Sequence, residues 1–185
     1  MEHLRKSRAF PQIERQSRGL TDRFDCVIPV YLDETMEIKH RIAAGSIVIK
    51  NSRILLVRIK KGDQSYLVAP GGAINDGESL ADAAVRETEE ETAVRCVARK
   101  AIMLENIRAS RYQMLKVWYL CDYLSGEPVV TGIAEKEDII DVGWYTDEDL
   151  AGELVFPVIV KELKIAGLSN FDQPIIDQGI RFSDF

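Results

Sequence analysis

Histidine and cysteine are scarce in this chain of 185 residues: His3 and His40 are its two histidines, and Cys26, Cys96 and Cys121 its three cysteines. An odd cysteine count with no CxxC spacing excludes a complete disulfide framework and points to a reducing cytoplasm. No apolar run reaches the roughly 20 residues of a membrane-spanning helix, and the opening MEHLRKSRAFPQ lacks the apolar stretch of a signal peptide. The expectation is a cytoplasmic chain with no membrane partner. Positive charge is in deficit, with 24 Lys and Arg against 30 Asp and Glu and a formal net charge of −6. That balance argues against stable, indiscriminate nucleic-acid binding and leaves any small anionic substrate dependent on a metal ion or on local Arg and Lys. Internal repeats and low-complexity tracts are also missing, and 46 % hydrophobic content suits one sizeable core.

What is present is concentrated in GGAINDGESLADAAVRETEEETAV, Gly71 to Val94, where a glycine-rich turn runs into an acidic helix. Ser79 is a good N-cap, and Asp82 three positions on completes a capping-box-like start, so the spacing predicts a helix over Leu80 to Ala93. At about 100° per residue, Leu80, Ala84, Glu87 and Glu91 share one stripe, with Ala83 and Glu90 beside it. Carboxylates that continue a core-facing stripe are costly unless compensated, and like charges at i,i+4 disfavour the helix further. A bound cation removes both objections. Carboxylate oxygens are hard ligands, so Mg²⁺ or Mn²⁺ suits them better than Zn²⁺, and neither histidine lies near the helix.

The order of residues here resembles the Nudix box, with Gly72, Glu78, Arg86, Glu87, Glu90, Glu91 and Val94 on the pattern. Two positions depart from it: Thr88 stands where an aliphatic residue is usual, with its methyl expected to pack, and Ala93 replaces the closing glycine. Glycine supplies the left-handed conformation after a helix, so the helix is expected to run on slightly at Ala93. The resemblance implies that Glu87, Glu90 and Glu91 bind metal, that the Gly71 carbonyl adds a ligand, and that Gly72, Glu78 and Arg86 support the site. It also implies an α/β fold, the Nudix-type α/β/α sandwich with a mixed β-sheet, over residues 41–185, preceded by an N-terminal extension over residues 1–40. That extension contains DCVIPVYLDE, a possible strand, and is similar to arms that dimerise related pyrophosphatases, so a homodimer is expected.

Strands are expected at Ala43–Ile49 and Arg53–Ile59 around a Lys50–Ser52 turn, then at Tyr66–Val68, Val97–Ile107, Met114–Tyr123 and Ile139–Tyr145. Thr146–Asp149 reads as the start of a short helix and Phe156–Ala166 as a second helix. Between Gly132 and Ile139 the polar run AEKED carries Glu135 and Glu137, candidates for a catalytic base, with Glu105 a further one. It resembles the acidic loop that supplies a base or metal ligand in ADP-ribose and nucleotide-sugar pyrophosphatases.

The activity the resemblance implies is metal-dependent hydrolysis of the pyrophosphate bond in a nucleoside diphosphate linked to another group, with ADP-ribose or a nucleotide sugar favoured. Arg108, Arg111 and Tyr112 stand where related enzymes carry specificity residues and are expected to contact phosphate and stack on a base. The proline that often marks ADP-ribose enzymes is absent, since Ala109 stands there, and Tyr112 is similar to a tyrosine of dinucleoside polyphosphate hydrolases. Hydrolysis of dinucleoside polyphosphates or oxidised nucleoside triphosphates stays open. So does a non-catalytic nucleotide-sensing module, although such modules typically lose the box carboxylates. An RNA 5′-end pyrophosphohydrolase would need a basic channel that the acidic composition disfavours.

Overall fold

Strand β1, Lys39–Lys50, sets the two faces of the sheet by simple alternation. Ala44, Ser46 and Val48 point to one side, while Ile47 and Ile49 point to the other, into the largest apolar cluster. The computed structural model describes residues 38–182. The possible strand in DCVIPVYLDE, the arm expected to dimerise and most of the expected N-terminal extension lie outside the described residues.

β1 turns through Asn51 and Ser52, both with positive φ as a tight hairpin turn requires, into β2, Arg53–Lys61. The two strands pair only beside that turn, at Ile49↔Ile54 and Lys50↔Arg53. β2 then separates and pairs with β3, Gln64–Val68, on one side and with β6, Ile139–Tyr145, on the other. β3 in turn pairs with the short β7, Val155–Phe156. β1 instead pairs in parallel with β5, Tyr112–Ser125, which is antiparallel to β4, Arg95–Arg108. The last strand, β8, Ile176–Phe182, adds in parallel to β4. The result is a mixed, curled sheet whose halves diverge from the first hairpin.

That divergence frees one edge of β1, and the glycine loop takes it. Ala44 N–H donates to Gly72 O at 3.0 Å, Ser46 N–H to Pro70 O at 2.9 Å, and Ile74 N–H to Ile42 O at 3.3 Å. Satisfying an edge with loop backbone fixes the loop firmly, because buried backbone donors need partners.

Helix α1, Leu80–Thr92, lays Ala83, Ala84 and Leu80 against Ala44 and Tyr119. Helix α2, Ile159–Ser169, buries Ile159, Val160, Ile165 and Leu168 with Ile47, Trp118 and Leu120 on the opposite face. The expected strands and central helix are therefore present, most of them a few residues longer than the sequence pattern suggests. Thr146–Asp149 is a correction: its side chains make the reciprocal capping bonds, Thr146 N–H to Asp149 Oδ2 at 2.8 Å and Asp149 N–H to Thr146 Oγ1 at 3.3 Å, yet only turns follow. The second helix also begins later than expected, since Phe156 is recruited into β7 beside Val68. No described helix is long and apolar enough to cross a membrane.

Candidate active site

Ser79 starts α1 as its N-cap, with its hydroxyl accepting from Asp82 N–H at 3.1 Å and donating to the Asp82 carboxylate at 2.7 Å. Contrary to the expected overrun, the helix stops at Thr92. Ala93 itself adopts the left-handed conformation (φ 59°, ψ 9°), with its N–H donating to Glu89 O at 2.9 Å. The chain following β5 then crosses this helix end. Val129 N–H donates to Thr92 O at 3.0 Å, and Thr131 Oγ1 donates to Glu90 O and accepts from Ala134 N–H. Thr131 thus fastens the second half of α1 to the 3-10 turn Ala134–Glu137, whose far end is held to β2 by Lys60 N–H on Asp138 O at 3.0 Å.

The consequence is a three-carboxylate group. Oxygens of Glu87, Glu91 and Glu137 lie within 4.8 Å of one another, the first two buried and the third exposed. Gly72 makes room for it, because a Cβ there would stand 2.6 Å from the Glu87 carboxylate. Gly71 is equally constrained: its φ is +149°, and a Cβ would meet Gly45 Cα at 2.3 Å and Ala44 O at 2.4 Å. Its N–H donates to Glu91 Oε2 at 3.2 Å, while its carbonyl accepts from the Lys116 ammonium at 2.8 Å.

Arg86 joins loop and helix. Its guanidinium donates to both Glu78 oxygens at 2.7 and 3.0 Å, to Glu87 and Glu90 at 2.8 Å each, and to Ala73 O at 3.1 Å. Arg86 pulls the Glu78 carboxyl down to about 2 and has its own pKa raised by the same contact. Burial pushes Glu87 up against the opposing pull of Arg86. Burial also lifts Glu91 to about 7, with Lys116 and the Gly71 N–H opposing and the Glu87 charge adding to the rise. Two buried carboxylates beside an exposed third, all hard oxygens, fit a hard divalent cation, which would hold them ionised together.

The remaining expected residues fall as follows. Glu90 is bonded to Arg86, outside the group of three. Glu135 lines an outer cleft with Lys60 and Asp138, whereas Glu137 two residues on reaches the group. Glu105 is 1 % exposed, accepts from Trp118 Nε1 at 2.7 Å and forms an ion pair with Arg181 at 3.3 Å. Tyr112 carries Arg41 over its ring at 5.0 Å and shares the face of β5 that holds Lys116. Arg108 pairs with Gln113, on the opposite face, and Arg111 is exposed in the turn. Lys116 and Thr131 were not legible as site residues, although a lysine within the apolar run MLKVWYL, in phase with Trp118, is the signal that marks the first.

Because Arg86 has no substitute in this geometry, Arg86→Lys, which keeps the charge and loses the planar fork, should lower kcat about 10- to 100-fold. A steady-state assay checks this, and unchanged kcat would reduce the network to surface decoration.

Residues 39–161 match the family model of the NUDIX domain. A 68-residue stretch is 38 % identical to Nudix hydrolase 2 of Arabidopsis thaliana, covering 34 % of this chain and 24 % of that protein, so the chain matches about a quarter of that relative's length. In fold it is similar to a Nudix hydrolase of Nitrosomonas europaea, with TM-score 0.60, 16 % identity, and 77 % and 79 % of the two chains covered. It is also similar to an ADP-ribose pyrophosphatase of Streptococcus suis 89-1591, with TM-score 0.53, 19 % identity, and 77 % and 98 % covered. A domain match over more than half the chain, on a loop and helix whose glycines, arginine and acids interlock as described, places this protein in the Nudix hydrolase family.

Proposed function

We propose that this protein hydrolyses the pyrophosphate bond of a nucleoside diphosphate linked to a second group, with ADP-ribose or a nucleotide sugar as substrate and Mg²⁺ or Mn²⁺ as cofactor. The convergence of Glu87, Glu91 and Glu137 supports this reading. A cation held by these carboxylates would polarise a phosphoryl oxygen, activate water and offset charge on the leaving phosphate. Glu87 and Glu91, buried and fixed by Arg86 and the Gly71 N–H, are the residues that would hold it. Glu137 is exposed and has access to water, so it is the favoured proton acceptor, ahead of Glu135. Glu90 accepts from Arg86 through Oε2, so a ligand role would fall to its Oε1. Tyr112 under Arg41 offers an aromatic face for a base on the side of the sheet that carries Lys116, whereas Arg108 lies with Gln113 on the other side. The fold shared with an ADP-ribose pyrophosphatase is compatible with that substrate class. Action in the cytoplasm and as a homodimer belongs to the same proposal.

The test is a panel of ADP-ribose, UDP-sugars, a dinucleoside tetraphosphate and an oxidised nucleoside triphosphate, each with Mg²⁺, with products separated by chromatography. ADP-ribose or a UDP-sugar should give two phosphorylated fragments at the highest kcat/KM. Tight binding of one nucleotide without turnover would establish a sensing module instead.

A further inference from the structure

Lys116 is a buried lysine whose hydrogen-bond partner among the described residues is a backbone carbonyl rather than a carboxylate. Buried ammonium groups are ordinarily ion-paired, so this arrangement calls for a reason. The ammonium lies 4.3 Å over the Trp118 ring and 2.8 Å from Gly71 O, and the same Gly71 residue donates its N–H to Glu91. The neighbouring Glu105 does not serve as its counter-charge by contact, being bonded to Trp118 Nε1 and ion-paired with Arg181. Lys116 therefore stands at the inner wall of the acid group, facing Glu91 across one immovable glycine. The Gly71 carbonyl is the oxygen that the family pattern would offer to a metal ion.

We propose that Lys116 is a resident cation of the site, a positioning residue that holds the Gly71 carbonyl and restricts divalent-ion uptake to the Glu87, Glu91 and Glu137 group. An oxygen that accepts an N–H at 2.8 Å and also bound a metal at about 2.1 Å would bring two positive charges within roughly 5 Å of each other in a poorly solvated wall. The lysine thus discourages a metal at Gly71 and supplies one fixed positive charge in its stead. The idea rests on the cation-dependent reading above and adds which positions the cation takes.

The experiment is a Mn²⁺ titration of the full chain, with free ion followed by electron paramagnetic resonance, for wild type, Lys116→Met and Lys116→Arg. Lys116→Met should bind one further Mn²⁺, or bind the first at least 10-fold more tightly, while Lys116→Arg should match wild type. A merely structural lysine would alter thermal stability and leave Mn²⁺ number and affinity alone. If Lys116→Met does not fold, Lys116→Gln keeps an N–H donor for Gly71 and removes only the charge, and the same tightening is expected. Equal uptake in wild type and the neutral variants overturns the role of Lys116 alone. Absence of Mn²⁺ uptake in every protein overturns it together with the metal-dependent reading.

Discussion

Glu91→Gln should lower kcat by about 10³-fold on whichever diphosphate is cleaved fastest, with the protein still folded. The substitution is nearly isosteric, and the amide oxygen can still accept the Gly71 N–H that Glu91 Oε2 accepts at 3.2 Å. What is lost is one of two buried negative charges, and with it much of the attraction for a divalent ion in a site only three carboxylates wide. Glu87→Gln should behave similarly and also free Arg86 Nη1, which is shared between Glu87 and Glu90 at 2.8 Å to each. Glu90→Gln, outside the group of three, should cost less, on the order of 10- to 100-fold, by loosening Arg86. Steady-state kinetics with Mg²⁺ varied from micromolar to millimolar ranks the three. A Glu91→Gln enzyme with wild-type kcat at all Mg²⁺ concentrations would remove this helix from the chemistry.

The part of the site written in consecutive residues was the part that could be read. Ser79, Glu78, Arg86 and the glutamates of α1 interact at separations fixed by helix and turn geometry, so their spacing carried their roles. The contributions of distant strands carried no such spacing. Lys116 reaches Gly71 only because β1 and β5 lie side by side and the glycine loop runs along the other edge of β1. Thr131 reaches Glu90 only because the chain after β5 crosses the end of α1. Thr88 was expected to pack by its methyl at the edge of the apolar stripe. It is fully buried, and its hydroxyl is in addition bonded to Ala84 O at 2.6 Å and paired with Ser46 Oγ at 2.5 Å. An aliphatic residue there would leave Ser46 without this buried partner, which is how the departure from the box is accommodated. Ala93 tolerates its left-handed backbone because its N–H closes on Glu89 O and Val94 is pinned by Thr92 Oγ1 at 3.1 Å. β8 has little apolar periodicity, with Asp177, Gln178 and Gly179 in its middle, and forms by pairing with β4 rather than by intrinsic preference.

In metal-free buffer the folded state should lose stability as pH rises from 5 to 8, the reverse of what carboxylate ion pairs produce. The sign follows from Glu91. Burial lifts its folded-state value to about 7 from an ordinary 4.5, so between those values the folded protein holds a proton that the unfolded chain has released. Stability falls wherever the folded state binds more protons, here by on the order of 3 kcal/mol across the window, with no further change above about 7. Glu87, also raised by burial, acts in the same direction. The lowered carboxyls of Glu78, Asp149 and Glu153 act oppositely, but their stabilisation is complete above their unfolded values and stays constant from pH 5 upward. Lys116, lowered by burial, acts oppositely in a window whose upper end is its unfolded value of 10.5, so the contribution of Glu91 is read as the difference between wild type and Glu91→Gln. A divalent ion binds the ionised pair and adds stability by mass action, so Mg²⁺ should restore at pH 8 what ionisation removed and do little at pH 5. For a chain of this size the expected change in Tm is roughly 6–12 °C, readable by scanning fluorimetry in EDTA and in millimolar Mg²⁺. Glu91→Gln should flatten both the pH slope and the Mg²⁺ response. A Tm that climbs from pH 5 to 8 in EDTA, or a Mg²⁺ effect of equal size at both ends, would mean that these buried carboxylates are compensated by the protein alone and do not await a cation.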